Sequence, residues 1–162
     1  MMSRLSKSSG LYRGYFDSPI GTIEILANKK EIVHIHFTIH KETSKENELV
    51  VKTKEWFEGY FAKNVHPFTL PLIEAKNSFS KIVREVVQDI PFGACLSYQE
   101  VAKRSGNAKA AQAVGQIMKR NPYAIVVPCH RVISKQGIGG YNGGIEIKKA
   151  LLEFEGCESI SL

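Results

Sequence analysis

A thiol and an imidazole stand side by side at Cys129 and His130, behind Pro128 and at the end of the apolar run Tyr123 to Val127. Cysteine attacks as the thiolate, and with a free pKa of about 8.5 little of it is ionised at neutral pH. An imidazole in reach, directly or through one water, supplies the missing base. Pro128 fixes its own φ and biases Val127 toward an extended backbone, so the thiol sits on a stiff segment. By itself a Cys-His pair also fits a buried core thiol. The residues that follow favour chemistry. Five glycines fall within Gly137 to Gly144, around a single aromatic, Tyr141, and an amide, Asn142. Glycines let backbone N–H and carbonyl groups approach a ligand closely, which suits the wall of a pocket for a flat, hydrogen-bonding group such as a nucleobase. Neither phosphate-loop fingerprint fits the spacing. Glu155, at the end of the last predicted helix, is a candidate third member of a relay that orients His130.

The elements that must position these groups fall into two halves, placed at 1–75 and 76–162. In the first, Tyr12–Phe16, Gly21–Ala27 and Glu31–Phe37 are rich in Ile, Val, Phe, Tyr and Thr. Asp17-Ser18-Pro19 and Asn28-Lys29-Lys30 lie between them as turns, so an antiparallel meander is predicted. Ser44 is predicted to open a helix with Glu46 and Glu48 in its first turn. Leu49, Thr53, Trp56, Phe57 and Tyr60 would face the sheet as core. Val65 to Pro71 reads as an extended linker.

The second half reads as mostly helical. Asn77 or Ser78 caps a helix carrying Phe79, Ile82, Val83, Val86 and Val87, which Pro91 and Gly93 end. Ser97-Tyr98-Gln99-Glu100 is a capping box that starts a short helix ending at Gly106. Asn107 is predicted to cap a further helix from Ala108 to about Arg120. Two short helices joined through a glycine turn are a helix-turn-helix signature. Small residues open the second one, so it can approach another helix or a nucleic-acid groove. Asn121-Pro122 ends it, and the apolar run is predicted to be a strand delivering Cys129. A last helix spans Ile145 to Glu155, with Gly156 as its left-handed cap. The fold class is therefore α+β: a small antiparallel sheet with a covering helix, then a helical, winged-helix-like domain.

The totals describe an ordinary globular protein: 162 residues, 43% hydrophobic, 23% charged. No apolar run approaches the ~20 residues that span a bilayer, and the first residues lack the apolar core of a secretory signal. A cytoplasmic location, or a nuclear one in a eukaryote, is expected. Three cysteines, Cys95, Cys129 and Cys157, form no disulfide framework and no Cys-x-x-Cys pair, so free thiols are expected. Alternation would place His34, His36 and His40 on one face of a strand, but with no second ligand cluster nearby no metal is expected. Net charge is +6. From Tyr98 to Lys135 it concentrates in Lys103, Arg104, Lys109, Lys119, Arg120, Arg131 and Lys135 against Glu100 alone, a footprint suited to phosphates.

The ordered set Ser97-Tyr98-Gln99-Glu100-Val101-Ala102, Ala110-Ala111-Gln112-Ala113-Val114-Gly115, Asn121-Pro122, Pro128-Cys129-His130-Arg131-Val132, Gly139-Gly140-Tyr141-Asn142-Gly143-Gly144 and Leu151-Leu152 through Glu155-Gly156 resembles the O6-alkylguanine-DNA alkyltransferases, also called methylated-DNA–protein-cysteine methyltransferases. The resemblance covers about half the chain, from Phe79 to Gly156. It implies repair by transfer of an alkyl group from O6-alkylguanine, and from O4-alkylthymine, to Cys129. His130 would take the thiol proton through a water, Glu155 would hold the imidazole, Asn121 would brace the turn, and Tyr98 would donate to the departing base. Val132 and Asn142 would read the base edge, with Met118, Tyr141 and Gly143 against it. Ala111, Gln112, Gly115, Gln99 and Asn107 would contact DNA, with Lys109, Lys119 and Arg104 as phosphate anchors. Gln112 stands where the family usually has arginine, so the residue that fills the gap left by an extruded base brings no charge.

A buried O6 substituent is out of reach in a duplex, so its nucleotide must swing out, at a cost of a few kcal/mol. The thioether product is a poor leaving group, so each molecule would act once, as a monomer and without a cofactor. Two rivals remain: a lesion binder without transfer, and a cysteine hydrolase built on Cys129, His130 and Glu155.

Overall fold

The fold is described from a computed structural model, for residues 10–157. The chain divides into two compact units between Ile73 and Glu74. In the first, β1 (Tyr12–Asp17), β2 (Thr22–Ala27) and β3 (Ile32–Thr38) form an antiparallel meander. Register separates its two faces. Gly14, Ile25 and Ile35 align across the sheet, as do Phe16, Ile23 and Phe37. Helix α1 (Glu48–Phe61) packs on this apolar face through Val50, Thr53, Phe57 and Tyr60. A side chain at Gly14 would collide with Glu46 and Val50, so glycine there lets helix and sheet close together.

Helix α1 starts later than its sequence suggests. Asn47, not Ser44, caps it by accepting the Val50 N–H, which leaves Glu48 as the only first-turn acid. The buried stripe shifts accordingly, with Val50 replacing Leu49 as its first member. The stretch predicted as a linker is docked on its own unit. Pro71 accepts the Ile32 N–H at 2.8 Å, and the His66 carbonyl accepts from Trp56 Nε1 at 2.8 Å.

The opposite face of the sheet is polar. Glu24 is buried and receives Arg13 Nε at 3.1 Å and the Tyr15 hydroxyl at 2.7 Å, with His36 Nε2 at 3.3 Å. His34 and His36 stack with centroids 4.4 Å apart. His40 lies past the end of β3 and is exposed, so the three histidines do not share one strand face as expected. Burial, with His36 beside it, pushes His34 down to about 4. The unfolded ring, near 6.5, therefore binds a proton that the folded ring refuses. Stability should fall as pH drops from 7 to 4 and level off below, by on the order of 2 kcal/mol once solvent access to the ring is discounted. Denaturant titrations of the native protein and of His34→Leu should diverge over that window, and parallel curves would refute this account of the ring.

The second unit holds α2 (Ser78–Gln88), β4 (Leu96–Ser97), α3 (Tyr98–Arg104), α4 (Ala111–Lys119), a 3₁₀ turn (Cys129–Arg131), β5 (Val132–Ile133) and α5 (Ile145–Glu155). Asn77 caps α2 through the Ser80 N–H. Ser97 caps α3 by accepting the Glu100 N–H at 3.0 Å, but the reciprocal half of the box is absent: the Glu100 carboxylate takes Arg104 Nε at 2.9 Å instead. Helix α4 begins at Ala111 rather than Ala108. Asn107 Oδ1 accepts the Lys109 N–H in a local turn, so its cap chemistry is spent before the helix starts. β4 and β5 pair in parallel, which ties the start of α3 to the segment leaving Cys129. Gly156 adopts φ +73 after α5 and Cys157 N–H returns to the Leu152 carbonyl at 3.1 Å, a Schellman closure.

Two further expectations fail in this unit. Cys95 and Cys157, 62 residues apart, form a disulfide, and among the described residues Cys129 is the free cysteine. Linear spacing hid the pairing, because only the fold brings the turn before β4 to the end of α5. The run Tyr123–Val127 is not a strand. It is a chain of tight turns, with Val126 N–H to Ala124 O at 2.8 Å and Val127 N–H to Tyr123 O at 3.0 Å.

Candidate active site

Those turns set the position of Cys129. Ile125, β-branched, sits at φ +69, a conformation costing on the order of 1–3 kcal/mol that persists only where its surroundings enforce it. Pro128 (φ −79, ψ 64) forms an inverse γ-turn, closed by the Cys129 N–H on the Val127 carbonyl at 2.7 Å. Asn121 enforces both features. Its buried amide NH₂ is shared among Val127 O (2.9 Å), Tyr123 O (3.2 Å) and Cys129 Sγ (3.1 Å), and its oxygen accepts the Tyr123 N–H. One side chain thus holds the turn and touches the sulfur.

The thiol is 4% exposed and lines a cavity of about 460 Å³. Tyr98 and Gln99 come to it from α3, and Ala111, Gln112, Gly115, Met118 and Lys119 from α4. Gly140 and Tyr141 close it from the glycine loop, and Ser134, Lys135 and Gln136 form part of its wall. At Gly139 (φ +78) an added side chain would meet the Tyr98 hydroxyl, so glycine there lets the loop close on α3. Burial pushes the Cys129 thiol up to about 11, against the Asn121 hydrogen bond and the Lys148 charge. At neutral pH the sulfur is therefore protonated. Burial also raises the Tyr98 hydroxyl, which keeps it a donor.

Behind the thiol lies a fully buried charge network. His130 Nε2 is 2.8 Å from Glu155 Oε2. Arg131 grips the same carboxylate as a fork, Nε to Oε1 at 2.8 Å and Nη2 to Oε2 at 2.9 Å, and its Nη1 donates to the Ile90 carbonyl at 2.7 Å. Burial lowers His130 despite the neighbouring carboxylate. Burial alone would raise Glu155, but hydrogen bonds and charge from His130 and Arg131 hold it well below the ordinary carboxylate range. An ionised carboxylate only accepts, so the neutral imidazole must carry its proton on Nε2. Nδ1, buried and without a hydrogen-bond partner, is left with its lone pair. That nitrogen is a base held in one tautomer.

Lys148 is a second buried cation. Its ammonium donates to Val132 O at 2.7 Å and Gly140 O at 2.8 Å, and burial lowers it to about 8. Sequence reasoning missed both Arg131 and Lys148 as site members. In the sequence Arg131 belongs to the basic footprint and to the Pro128–Val132 motif but carries no role of its own, and Lys148 is one of two adjacent lysines in an amphipathic helix, with nothing local to mark it as buried.

The comparisons with known proteins bear on this geometry. Residues 11–73 match the 6-O-methylguanine DNA methyltransferase ribonuclease-like domain, and residues 78–157 match the 6-O-methylguanine DNA methyltransferase DNA binding domain. A methylated-DNA–protein-cysteine methyltransferase from Methanosarcina acetivorans is 37% identical, over 90% of this chain and 99% of its own length. The chain belongs to the methylated-DNA–protein-cysteine methyltransferases. A Haemophilus influenzae methyltransferase of the same name is 35% identical over 91% of this chain and 87% of its own length. The crystal structure of the Mycobacterium tuberculosis O6-methylguanine methyltransferase superposes with a TM-score of 0.79 at 30% identity, covering 94% of this chain and 96% of that one. The M. tuberculosis protein in complex with DNA gives 0.77 at 33% identity, covering 88% and 91%.

Within this methyltransferase the expected residues divide into three groups. Cys129, Tyr98, Met118, Tyr141, Gln99, Ala111, Gln112, Gly115 and Lys119 line the cavity, while His130, Glu155 and Asn121 form its support. Val132 is buried and presents its carbonyl to Lys148. Asn142 and Gly143 are exposed and do not line the cavity. The Asn142 amide lies 3.5 Å from the Asn121 carbonyl. Asn107, Lys109 and Arg104 are exposed outside the cavity, and Arg104 is partnered with Glu100.

Proposed function

We propose that this chain repairs alkylated DNA by moving the alkyl group from guanine O6 to Cys129 Sγ, once per molecule. The observation that carries the reading is the pairing of a protonated, cavity-lining thiol with an imidazole whose tautomer leaves a bare Nδ1. His130 takes the thiol proton through one water. An S–C bond forms as the O6–C bond breaks, and the Tyr98 hydroxyl supplies the proton that the leaving base needs. Asn121 steadies the sulfur throughout. Met118, Tyr141 and the Val132 and Cys129 carbonyls hold the base, with Asn142 and Gly143 closing over its edge. An O4-alkylthymine presents the same bond to the thiol.

The base reaches this cavity by leaving the duplex stack. Helix α4 presents Ala111, Gln112 and Gly115 beside the cavity mouth as the groove-contacting surface, with Gln99 and Asn107 flanking it. Lys109, Lys119 and Arg104 hold phosphates. The cavity and its relay lie within one chain, so the reaction asks for no second copy.

With duplex DNA carrying O6-methylguanine in excess, loss of lesion should plateau at one per protein molecule. Continued turnover would point to a hydrolase, and binding without lesion loss would point to a sensor. Gln112 sets a second test. Gln112→Arg adds a cation where the extruded base leaves a gap, and should speed repair of duplex substrate about three- to tenfold while leaving single strands nearly unchanged. Equal rates on duplex before and after the change would contradict this role.

A further inference from the structure

Cys95 and Cys157 lie outside the alkyl-transfer chemistry, yet their disulfide joins the two segments that hold the relay carboxylate. Cys157 follows Glu155 by two residues and closes the end of α5. Cys95 follows Gly93 by two residues, and the Gly93 N–H points at Glu155 Oε1 at 3.3 Å. The same turn supplies the Ile90 carbonyl that anchors Arg131. Cys157 packs with Leu152 and Ile133, and Cys95 and Ile138 close over them, so the bridge also abuts the segments leaving Cys129 and entering the glycine loop.

We propose that the Cys95–Cys157 pair is a redox-responsive clamp that fixes Glu155, and through it His130, so that alkyl transfer is faster in the disulfide form than in the dithiol form. The inference rests on the function proposed above. Formation of the bridge uses a small-molecule disulfide as oxidant. One protein thiolate attacks it, releasing one small thiol and leaving a mixed disulfide. The second protein thiolate displaces the other small thiol, so the protein loses two electrons and two protons in all. Cys95 is half-buried and Cys157 nearly covered, so Cys95 is the point of entry. Cys129, buried and protonated at rest, is slow to enter the same exchange, and the acceptor sulfur survives while the clamp responds.

The test poises the full-length protein in oxidised or reduced glutathione, maps the three thiols by peptide mass, and measures the single-turnover rate on O6-methylguanine duplex DNA across pH. The disulfide form should react about three- to tenfold faster, with the pH dependence displaced as the His130 environment changes. Cys95→Ala and Cys157→Ala should both react at the dithiol rate and ignore the poise. Equal rates and superimposable pH profiles in the two states would overturn the clamp, as would a redox response that persists in the alanine variants. The His130 ring titration, followed by NMR in both states, separates the two readings. A shift with redox state in a protein that transfers no methyl would keep the clamp and sink the proposed function. No shift, with transfer intact, would do the reverse.

Discussion

Arg131→Leu is expected to destabilise the protein by about 3–5 kcal/mol, because it leaves a buried carboxylate without its cation. In the native protein Arg131 satisfies both oxygens of Glu155 while reaching back to the Ile90 carbonyl. Removing it strips two charge-assisted hydrogen bonds from an acid that is 5% exposed, while the contact with His130 stays in place. The sign with pH follows. Glu155 titrates below its ordinary value in the folded protein, so its contribution is present above the carboxylate range and is lost as pH falls through it. With Arg131 gone, Glu155 ionises less readily and that acid-sensitive component shrinks. His130 moves the other way, since the carboxylate charge no longer neutralised by a guanidinium favours imidazolium. A rise in the His130 titration midpoint together with a lower denaturant midpoint is the predicted pair of results. A loss under about 1 kcal/mol, typical of surface pairs, with an unmoved His130 would show that the fork is dispensable.

Lys148→Met is expected to slow alkyl transfer about 10- to 100-fold with a smaller effect on stability. The ammonium favours the Cys129 thiolate and pins the Val132 carbonyl, just past Cys129, to the Gly140 carbonyl within the glycine loop. Methionine fills a similar volume but removes the charge and orphans two acceptors, against which stands relief from burying an ammonium at all. Because Lys148 titrates near 8, the rate gap between native and variant should be widest below pH 8 and narrow above it. A gap that is flat with pH, or a rate unchanged within about twofold, would remove Lys148 from the electrostatics of the sulfur.

The sequence was most legible where a local rule sufficed. Alternating β-branched and aromatic residues between Asx-rich turns marked all three strands of the meander, and helical spacing with Gly156 marked α5 at both ends. The Cys-His pair and the distant Glu155 were readable because their residue types have so few other uses together. Failures arose where tertiary structure overrode a local signal. Tyr123–Val127 has strand composition, yet Asn121 ties it into turns by bonds that no window of sequence displays. Asn47 displaced Ser44 as a helix boundary because more than one residue nearby had cap chemistry, whereas Asn107 spends its side chain on a local turn with Lys109 and the helix starts three residues later behind Ala110, which has no side-chain cap. Arg131, Lys148 and the Cys95–Cys157 bridge depend on burial and on contacts across 16 to 62 residues, which composition does not encode.

The central claim is that one sulfur accepts the alkyl group and keeps it. Peptide mass mapping after reaction with O6-methylguanine DNA tests it most directly. The account predicts the added mass of a single CH₂ on the peptide carrying Cys129, in one copy per molecule, stable to reductant, and absent in Cys129→Ser. Lesion loss with no mass gained, or the methyl found on Cys95 or Cys157 instead, would contradict it.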